Sequence, residues 1–234
     1  MGSAGTISAG DRLKQEWPEN RIVALEPIQC PTLFNNGYGA HEIQGIGDKH
    51  VTWIHNVNNL DALMCIDDLA CLKGLQLLTE ETGWQTMETR FGISGEDCAM
   101  LASIFGISGV CNLLGAIKTA KFYQLGRKDL VVTVCTDDIG RYHSVMQWLT
   151  EKHGHMDEAE ATARVAGIFH RAGTDWIQEA TVHNRNRWHN LKYYTWVEQQ
   201  GKKVEELDAQ KDPEWWTAHQ EKVGEIDKLI AGSR

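Results

Sequence analysis

Five small residues near the start of the chain have the composition of a phosphate-binding loop. They are Gly2, Ser3, Ala4, Gly5 and Thr6. Small side chains let a backbone approach an anion closely, and the free N–H groups at the start of a helix point toward it. The charged and apolar residues that follow, through Leu13, indicate such a helix. The pattern predicts a phosphate cradle, although a simple turn has the same composition.

Two further stretches combine residue types that could contact a ligand. Gly45 and Gly47 lie in "QGIGD", where glycine serves either a close approach to a ligand or only a tight turn. Asp137 and Asp138 lie in "TDD", where a carboxylate could face a cationic group or only cap a helix. His153 and His155 have no third metal ligand near them in sequence, so we predict a solvated turn and no metal site there.

The elements that would position these residues alternate between strand and helix. Apolar runs over residues 21–27, 61–68 and 129–138 are typical of buried strands, and the last is the clearest. Helical patterns over residues 69–83 and 106–126 lie between the second and third of these runs. This order predicts an α/β fold of three layers, with a mostly parallel sheet and helices on both faces. Ligands bind beyond the carboxyl ends of such strands, where the glycine and aspartate clusters should gather.

The character of the chain changes near residue 150. The remaining sequence is rich in charge and tryptophan and poor in strand patterns. We therefore expect a ligand-binding part over residues 1–150 and a helical C-terminal extension over residues 151–234.

Composition narrows the class of protein. The 234 residues carry a net charge of −9, which argues against a general nucleic-acid binder. No apolar run approaches the roughly 20 residues of a membrane span, and no secretory signal is visible, so we expect a cytoplasmic protein. The six cysteines form no C-x-x-C pair, which favours buried thiols over disulfides or a metal cluster.

Four motifs, in order, resemble those of the cysteine synthase family, the pyridoxal-phosphate (PLP) enzymes of fold type II. The family also includes cystathionine β-synthase, tryptophan synthase β and the serine/threonine dehydratases. The motifs are "GSAGTISAGDRLKQEWPENRIVALEP", "HEIQGIGDKHVTWI", "GISGVCNLLGAIKTA" and "VVTVCTDDIGRYHS". They are similar to the phosphate loop with its helix and strand, the HxIQGIG segment, the GISSGA helix and the final PDSGxRYLS strand of the C-terminal, large-domain half. The whole chain further resembles a bacterial group of PLP-dependent β-subunit-like proteins.

The resemblance implies a role for each matched residue. Residues 2–6 would hold the cofactor phosphate, with Ala4 standing where the family usually has glycine. Gly45 and Gly47 would let their loop pass close to the cofactor ring. Asp137 would stand where the family has a hydroxyl residue facing the pyridine nitrogen, although Asp138 is the alternative one residue along. A carboxylate at that place would stabilise a protonated ring nitrogen.

The resemblance also implies a missing segment. In the family the phosphate loop lies in mid-chain, and the lysine that forms a Schiff base with the cofactor comes before it. This sequence has no lysine in that setting, so we assign no catalytic residue to it and expect weak or absent PLP binding by this chain alone. We expect a homo-oligomer, or a partner chain that supplies the lysine half.

The implied activity is β-elimination or β-replacement on an amino acid, with the chain nearly inactive by itself. A non-catalytic binding or regulatory subunit that keeps the fold is the alternative. A nicotinamide-binding domain fits less well, because the first loop lacks G-x-G-x-x-G spacing.

Overall fold

Helices predominate in the computed structural model, which describes residues 4–233, and they accompany one small sheet. The strands are β1 (Val23–Pro27), β2 (Ala62–Ile66) and β3 (Ile177–Glu179). The α-helices are α1 (Ala4–Glu16), α2 (Thr32–Asn35), α3 (Asp68–Thr79), α4 (Glu81–Phe91), α5 (Gly95–Ile104), α6 (Ile107–Phe122), α7 (His143–His153), α8 (Glu158–Arg164), α9 (Val182–Asn190), α10 (Val204–Ala209), α11 (Pro213–Gln220) and α12 (Val223–Gly232). Short 3-10 helices cover Val57–Asn59 and Ile139–Arg141, and π-helices cover Val165–His170 and Tyr193–Gln199.

The sheet has the strand order β1-β2-β3. β1 and β2 are parallel, in a register that pairs Val23 with Ala62 and Pro27 with Ile66. All five residues of β2 are buried, as expected of a central strand covered on both faces. The predicted α/β class with a helical C-terminal part is confirmed, and the predicted strands at residues 21–27 and 61–68 correspond to β1 and β2.

The chain divides into two compact units. Of the described residues, unit 1 comprises 23–49 and 62–178, and unit 2 comprises 4–22, 50–61 and 179–233. The functional division predicted at residue 150 stays a prediction.

The core of unit 1 lies between helices that follow the two long strands. Asp67 is the N-cap of α3, and its carboxylate accepts a hydrogen bond from the backbone N–H of Ala70 at 2.7 Å. Leu72 and Leu75 of α3 are buried together with Val110 and Leu114 of α6, a helix that also contacts β1 and β2. The helix predicted over residues 69–83 is divided at Glu80 into α3 and α4.

Unit 2 is built from α1 and the helices after β3. Trp188 is wholly buried within it, and Lys192, one helical turn further along, is buried as well. The indole N–H of Trp196 donates to the backbone carbonyl of Val51 at 2.7 Å, and Asn59 Nδ2 donates to the Asp11 carboxylate at 2.6 Å. These polar contacts join the loop over residues 50–61 to both helical parts of the unit.

The strand predicted over residues 129–138 is wrong. These residues form no sheet ladder within the described chain, and apolar side chains among them are exposed. A strand needs a neighbour to satisfy its backbone, and the sheet of β1, β2 and β3 does not extend to this run. The structure also places β3 in a stretch predicted as helical.

No single helix in the described range is long and apolar enough to cross a membrane. The pair α5 and α6 reaches that length and composition only when taken together, with a bend of 117° between them.

Candidate functional site

The predicted phosphate loop lies partly inside the first turn of α1. Gly2 and Ser3 fall outside the described residues, and the helix begins at Ala4. Gly5 and Thr6 are exposed, and a side chain added at Gly5 would meet no atom within 4 Å. The backbone N–H groups of a first helical turn have no partner within the helix. Gly5 and Thr6 therefore place N–H groups of a first helical turn on an open surface of unit 2.

The second glycine cluster forms a constrained loop in unit 1. Gly45 and Gly47 have φ angles of +85° and +91°, a backbone conformation that other residues rarely adopt. A Cβ atom on Gly47 would lie 2.8 Å from Pro27 Cδ and 2.9 Å from His41 Nε2, whereas one on Gly45 would meet nothing within 4 Å. Gly47 is required where the loop packs against the end of β1, and Gly45 leaves open space beside the backbone.

His41 belongs to the same loop, and the sequence analysis did not select it. Its Nδ1 is buried without a hydrogen-bond partner among the described residues. Burial lowers the pKa of its imidazole, and the nearby Asp68 carboxylate acts in the opposite direction. Its position in "HEIQGIG", two residues before Ile43, is the feature of the sequence that could have identified it as part of this loop.

Asp137 is half-buried near the N-terminus of α6 in unit 1. Its Oδ2 accepts a hydrogen bond of 2.6 Å from the hydroxyl of Tyr142. Gly106, the residue before α6, has no side chain, and a Cβ there would lie 2.1 Å from Asp137 Oδ1. The carboxylate thus lies close to the positive end of a 16-residue helix, a favourable place for a negative charge.

The hydroxyl of Tyr142 depends on that carboxylate. Burial, the hydrogen bond to Asp137 and its negative charge together raise the pKa of Tyr142 to about 12. The phenol therefore stays protonated and donates at neutral pH. Tyr142 was not selected by sequence reasoning, although it stands in the "GRYHS" part of the last motif.

Asp138 has a different role from Asp137. It is exposed, and its Oδ1 accepts a hydrogen bond of 2.8 Å from the backbone N–H of Gly140, which caps the 3-10 helix. Thr136, on the other side of Asp137, shares a hydrogen bond of 2.9 Å between its hydroxyl and that of Ser108 in α6. Whether Asp137 or Asp138 faces a cofactor stays a prediction, but only Asp137 has its carboxylate held in place by another side chain.

Two lysines of the described chain are buried, and the sequence analysis selected neither of them. Lys118 in α6 donates from Nζ to the backbone carbonyl of Asp175 at 2.7 Å. Lys192 is wholly buried in unit 2, where Nζ donates to the carbonyl of Trp53 at 3.0 Å and to Gln210 Oε1 at 2.6 Å. Burial lowers the pKa of Lys192 to about 7. Its spacing of four residues from Trp188 is the feature of the sequence that could have placed it on the buried face of a helix.

Glu26 is another buried charge that the sequence analysis passed over. It lies in β1, and its carboxylate oxygens accept hydrogen bonds from the backbone N–H groups of Leu33 and Phe34 at 3.1 and 2.8 Å. Burial raises its pKa, and these two N–H groups oppose that effect. An acid in the middle of an apolar run was the available signal.

The described residues contain no group of three or more His, Cys, Asp or Glu side chains that could hold a metal ion.

The chain is similar to known enzymes over part of its length. It is 30% identical to the cysteine synthase of Staphylococcus aureus (strain N315) over 145 residues, which are 62% of this chain and 40% of that protein. It is 26% identical over 145 residues to cysteine synthase B of Campylobacter jejuni, covering 62% of this chain and 41% of that protein. An O-ureido-L-serine synthase of Streptomyces lavendulae is 30% identical over 84 residues, 36% of this chain and 26% of the relative.

No family model matches the chain. It spans about two fifths of the length of the cysteine synthases that it matches. The resemblance inferred from the four motifs is nevertheless confirmed by these relatives. Over the matched residues, the chain is similar to the cysteine synthases.

Proposed function

We propose that this chain is the cofactor-binding part of a PLP-dependent enzyme that catalyses β-elimination or β-replacement on an amino acid. The observation that carries the proposal is the 30% identity with cysteine synthase over 145 residues. The order of the four motifs agrees with it.

Each unit, taken by itself, offers groups that suit part of a phosphorylated, planar cofactor. The exposed first turn of α1 offers backbone donors at Gly5 and Thr6, with no side chain to obstruct an anion at Gly5. The open space beside Gly45 suits a flat ring near the backbone. Asp137 would supply a fixed negative charge for a ring nitrogen.

PLP, when bound, supplies an electron-withdrawing ring that eases removal of a proton from the amino-acid substrate. The chain's own residues would bind and orient it. The backbone N–H groups of Gly5 and Thr6, together with the hydroxyl of Thr6, would bind the phosphate. Asp137 would hold a proton on the pyridine nitrogen, while Tyr142 and Gly106 keep the carboxylate in place.

In this proposal the lysine that binds the cofactor covalently comes from the part of a cysteine synthase-like polypeptide that the matched residues do not include. Attack by a positioned lysine amine makes this chemistry efficient, so the chain by itself should bind phosphate weakly and turn over little substrate. The partner would be that remaining part, and the complete protein would act in amino-acid metabolism in the cytoplasm.

Titration of the full chain with PLP and with inorganic phosphate, followed by calorimetry and absorbance, tests the proposal. We expect weak binding that Thr6→Val reduces several-fold, because the substitution removes a hydroxyl donor and keeps the side-chain volume. Thr89→Val, at an exposed position in α4, is the matched control and should leave binding unchanged.

Borohydride reduction followed by mass spectrometry gives an independent check. We expect no PLP adduct at a unique lysine. A stoichiometric adduct at one lysine of this chain would contradict the assignment of the catalytic lysine to another part. Phosphate binding without turnover, once the remaining part is supplied, would favour a non-catalytic subunit instead.

A further inference from the structure

Unit 2 has a buried polar cluster around the amine of Lys192. Its Nζ donates to the backbone carbonyl of Trp53 at 3.0 Å and to Gln210 Oε1 at 2.6 Å, and both acceptors are neutral. Gln210 is itself wholly buried and donates from Nε2 to the same Trp53 carbonyl at 3.2 Å. The ring of Trp216 lies 5.2 Å from Nζ. A titratable amine is therefore enclosed in unit 2 by neutral groups.

Two histidines belong to the same cluster. His55 is 1% exposed and lies two residues after Trp53, in a turn closed by its own N–H on the carbonyl of Thr52 at 3.1 Å. His189 is 2% exposed and precedes Lys192 by three residues. Among the described residues, His55 Nδ1 and His189 Nε2 have no hydrogen-bond partner, and both atoms are buried. The folded unit thus encloses two imidazoles, each with one ring nitrogen unsatisfied.

This environment keeps both imidazoles neutral. Burial is the largest cause and the neighbouring charge of Lys192 the second, and together they lower the pKa of His55 to about 3 and that of His189 to about 4. An imidazolium at either place would be a buried charge close to an amine that is itself charged below its own pKa of about 7. Protonation of the histidines and closure of the cluster are therefore incompatible.

The other charged groups near the cluster do not remove this incompatibility. Lys211 lowers the pKa of His189 and Asp208 raises it, but both side chains are exposed and pair with each other at 2.8 Å or less. Asp11 of α1 interacts with the charge of Lys192. Burial raises the pKa of Asp11, so acid favours the closed form at this carboxylate. One opposing carboxylate stands against two imidazoles.

We infer that unit 2 is an acid-sensitive element, in which mild acidification separates the helical segment over residues 182–199 from the turn over residues 52–55 while unit 1 keeps its packing. α9 packs on the 3-10 helix Val57–Asn59 that follows this turn, so the turn and the helix close together. The buried ring nitrogens can take up protons only in the open state. Each imidazole therefore favours opening by up to about tenfold per pH unit below about 6.5.

Unit 1 lacks such a pair of wholly buried imidazoles among its described residues. His41 is only half-buried, and the Asp68 carboxylate opposes the lowering of its pKa. The buried Glu26 has a raised pKa, so the folded unit binds its proton and acid favours the closed form there. We therefore expect acid to open unit 2 before unit 1.

Hydrogen exchange of the full chain at about pH 7.5 and pH 5, followed by mass spectrometry, tests the inference. Protection factors are compared, because they remove the direct effect of pH on the rate of amide exchange. Protection of residues 52–60 and 182–199 should fall by a factor on the order of 10² or more at the lower pH. Protection of α3 and α6 in unit 1 should fall by less than about tenfold.

Three variants separate the two imidazoles from a general effect of acid. His55→Gln and His189→Asn each keep a polar side chain that cannot take up a proton, so each should reduce the pH-dependent loss of protection by about tenfold or more. His183→Asn, at an exposed histidine of α9, is the matched control and should behave as the unaltered chain does. The two pH values are compared within each variant, so a variant that is less stable at both still gives an answer.

NMR of the imidazoles in the unaltered chain answers the same question without a substitution. At least two of the ten histidines should stay neutral at pH 5 in the closed form. Titration of all ten near pH 6.5 while residues 182–199 stay protected would overturn the inference, because the imidazoles would then reach solvent in the closed unit. Equal loss of protection in both units would make the change a global unfolding, and unchanged protection of unit 2 at pH 5 would show that it does not open.

Discussion

At the scale of single residues, Asp137 and Tyr142 define the best-organised polar contact among the predicted ligand-binding residues. The hydroxyl of Tyr142 satisfies one carboxylate oxygen of Asp137, and Gly106 leaves room for the other. A charged group held by a neighbour and a helix terminus needs little rearrangement when it meets an opposite charge. Asp138, exposed and engaged in a local cap, lacks such support.

The first prediction concerns the charge of Asp137 in a complete enzyme that contains the lysine-bearing part. Asp137→Asn keeps the shape of the side chain and removes its negative charge, so proton abstraction from the substrate should slow by a factor on the order of 10². Steady-state kinetics and the absorbance of the bound cofactor measure the effect. Asp138→Asn is the control, because an asparagine oxygen can still accept from Gly140, and it should do much less. The reverse result would move the assignment by one residue.

The second prediction concerns Lys192, whose pKa is lowered to about 7 from an ordinary value of 10.5 by burial. Above pH 7 the unfolded state binds more protons than the folded state, so stability should rise as the pH rises from 7 toward 10.5. His55 and His189, whose pKa values are lowered to about 3 and about 4, are neutral in the folded state throughout that window.

Urea unfolding between about pH 7 and 8 measures this slope, to which one lysine contributes up to about 1.4 kcal/mol per pH unit. Burial raises the pKa values of Cys65 and Cys71, so ionisation of their thiols in the unfolded chain opposes the slope as the pH rises, and the comparison is therefore made between variants that keep both thiols. Lys192→Met should reduce the slope of the unfolding free energy against pH, even where it also changes the stability at a single pH. Lys49→Met, at an exposed lysine, should keep the slope of the unaltered chain. A steep slope that survives in Lys192→Met would show that another group is responsible.

At the scale of elements, the loop over residues 45–47 is fixed by two glycines that serve different purposes. Both have positive φ angles, but only Gly47 also packs closely against Pro27 and His41. Substitutions at these two positions of one loop can therefore separate the effect of backbone strain on stability from the effect of a side-chain collision.

The third prediction uses that difference. Gly45→Ala should lower the free energy of unfolding by about 1 kcal/mol, because alanine is strained at this φ but meets no neighbour. Gly47→Ala should cost about 1–3 kcal/mol more, because its methyl group would also collide with Pro27. Urea unfolding of both variants checks the order. Equal losses of unfolding free energy in the two variants would mean that Pro27, at the end of β1, moves aside without a loss of stability.

The elements also show how far the sequence predicts this fold. β1 and β2 were predicted because each is a short apolar run between turns, and each has a partner in the chain. The run at residues 129–138 has an even clearer pattern, yet it forms no ladder, because strand formation depends on a neighbour and not on the pattern alone. The turn at residues 45–47 could be predicted from the spacing of its glycines, because a backbone position with positive φ favours glycine.

Tyr142, Glu26 and Lys192 were not predicted as buried polar residues, and the reason is physical. Whether a polar side chain is buried depends on which distant backbone or side-chain groups satisfy it. Tyr142 contacts Asp137 across a turn. Lys192 contacts Trp53, which lies 139 residues earlier in the chain, and Gln210, which lies 18 residues later. Such partners come together only in the folded chain.

At the scale of the whole molecule, apolar surface remains exposed in both units. Unit 1 exposes the apolar run over residues 130–135, and unit 2 exposes Val223, Ile226, Leu229 and Ile230 along α12. Contiguous apolar patches of this kind favour association.

The fourth prediction follows from that surface. The purified chain alone should be oligomeric or should associate at micromolar concentration, and light scattering measures this directly. Leu229→Lys should reduce the association, because it places a charge among the exposed apolar side chains of α12. A compact and stable monomer over the same concentrations would contradict the prediction.

The exposed run over residues 130–135 has a consequence for the lifetime of the protein in a cell. An uncharged, β-branched stretch in solvent is the kind of sequence that chaperones bind and proteases cleave. A copy in which this run stays uncovered should therefore be degraded sooner than a copy in which association hides it. The rate at which the chain is removed would then depend on its state of assembly.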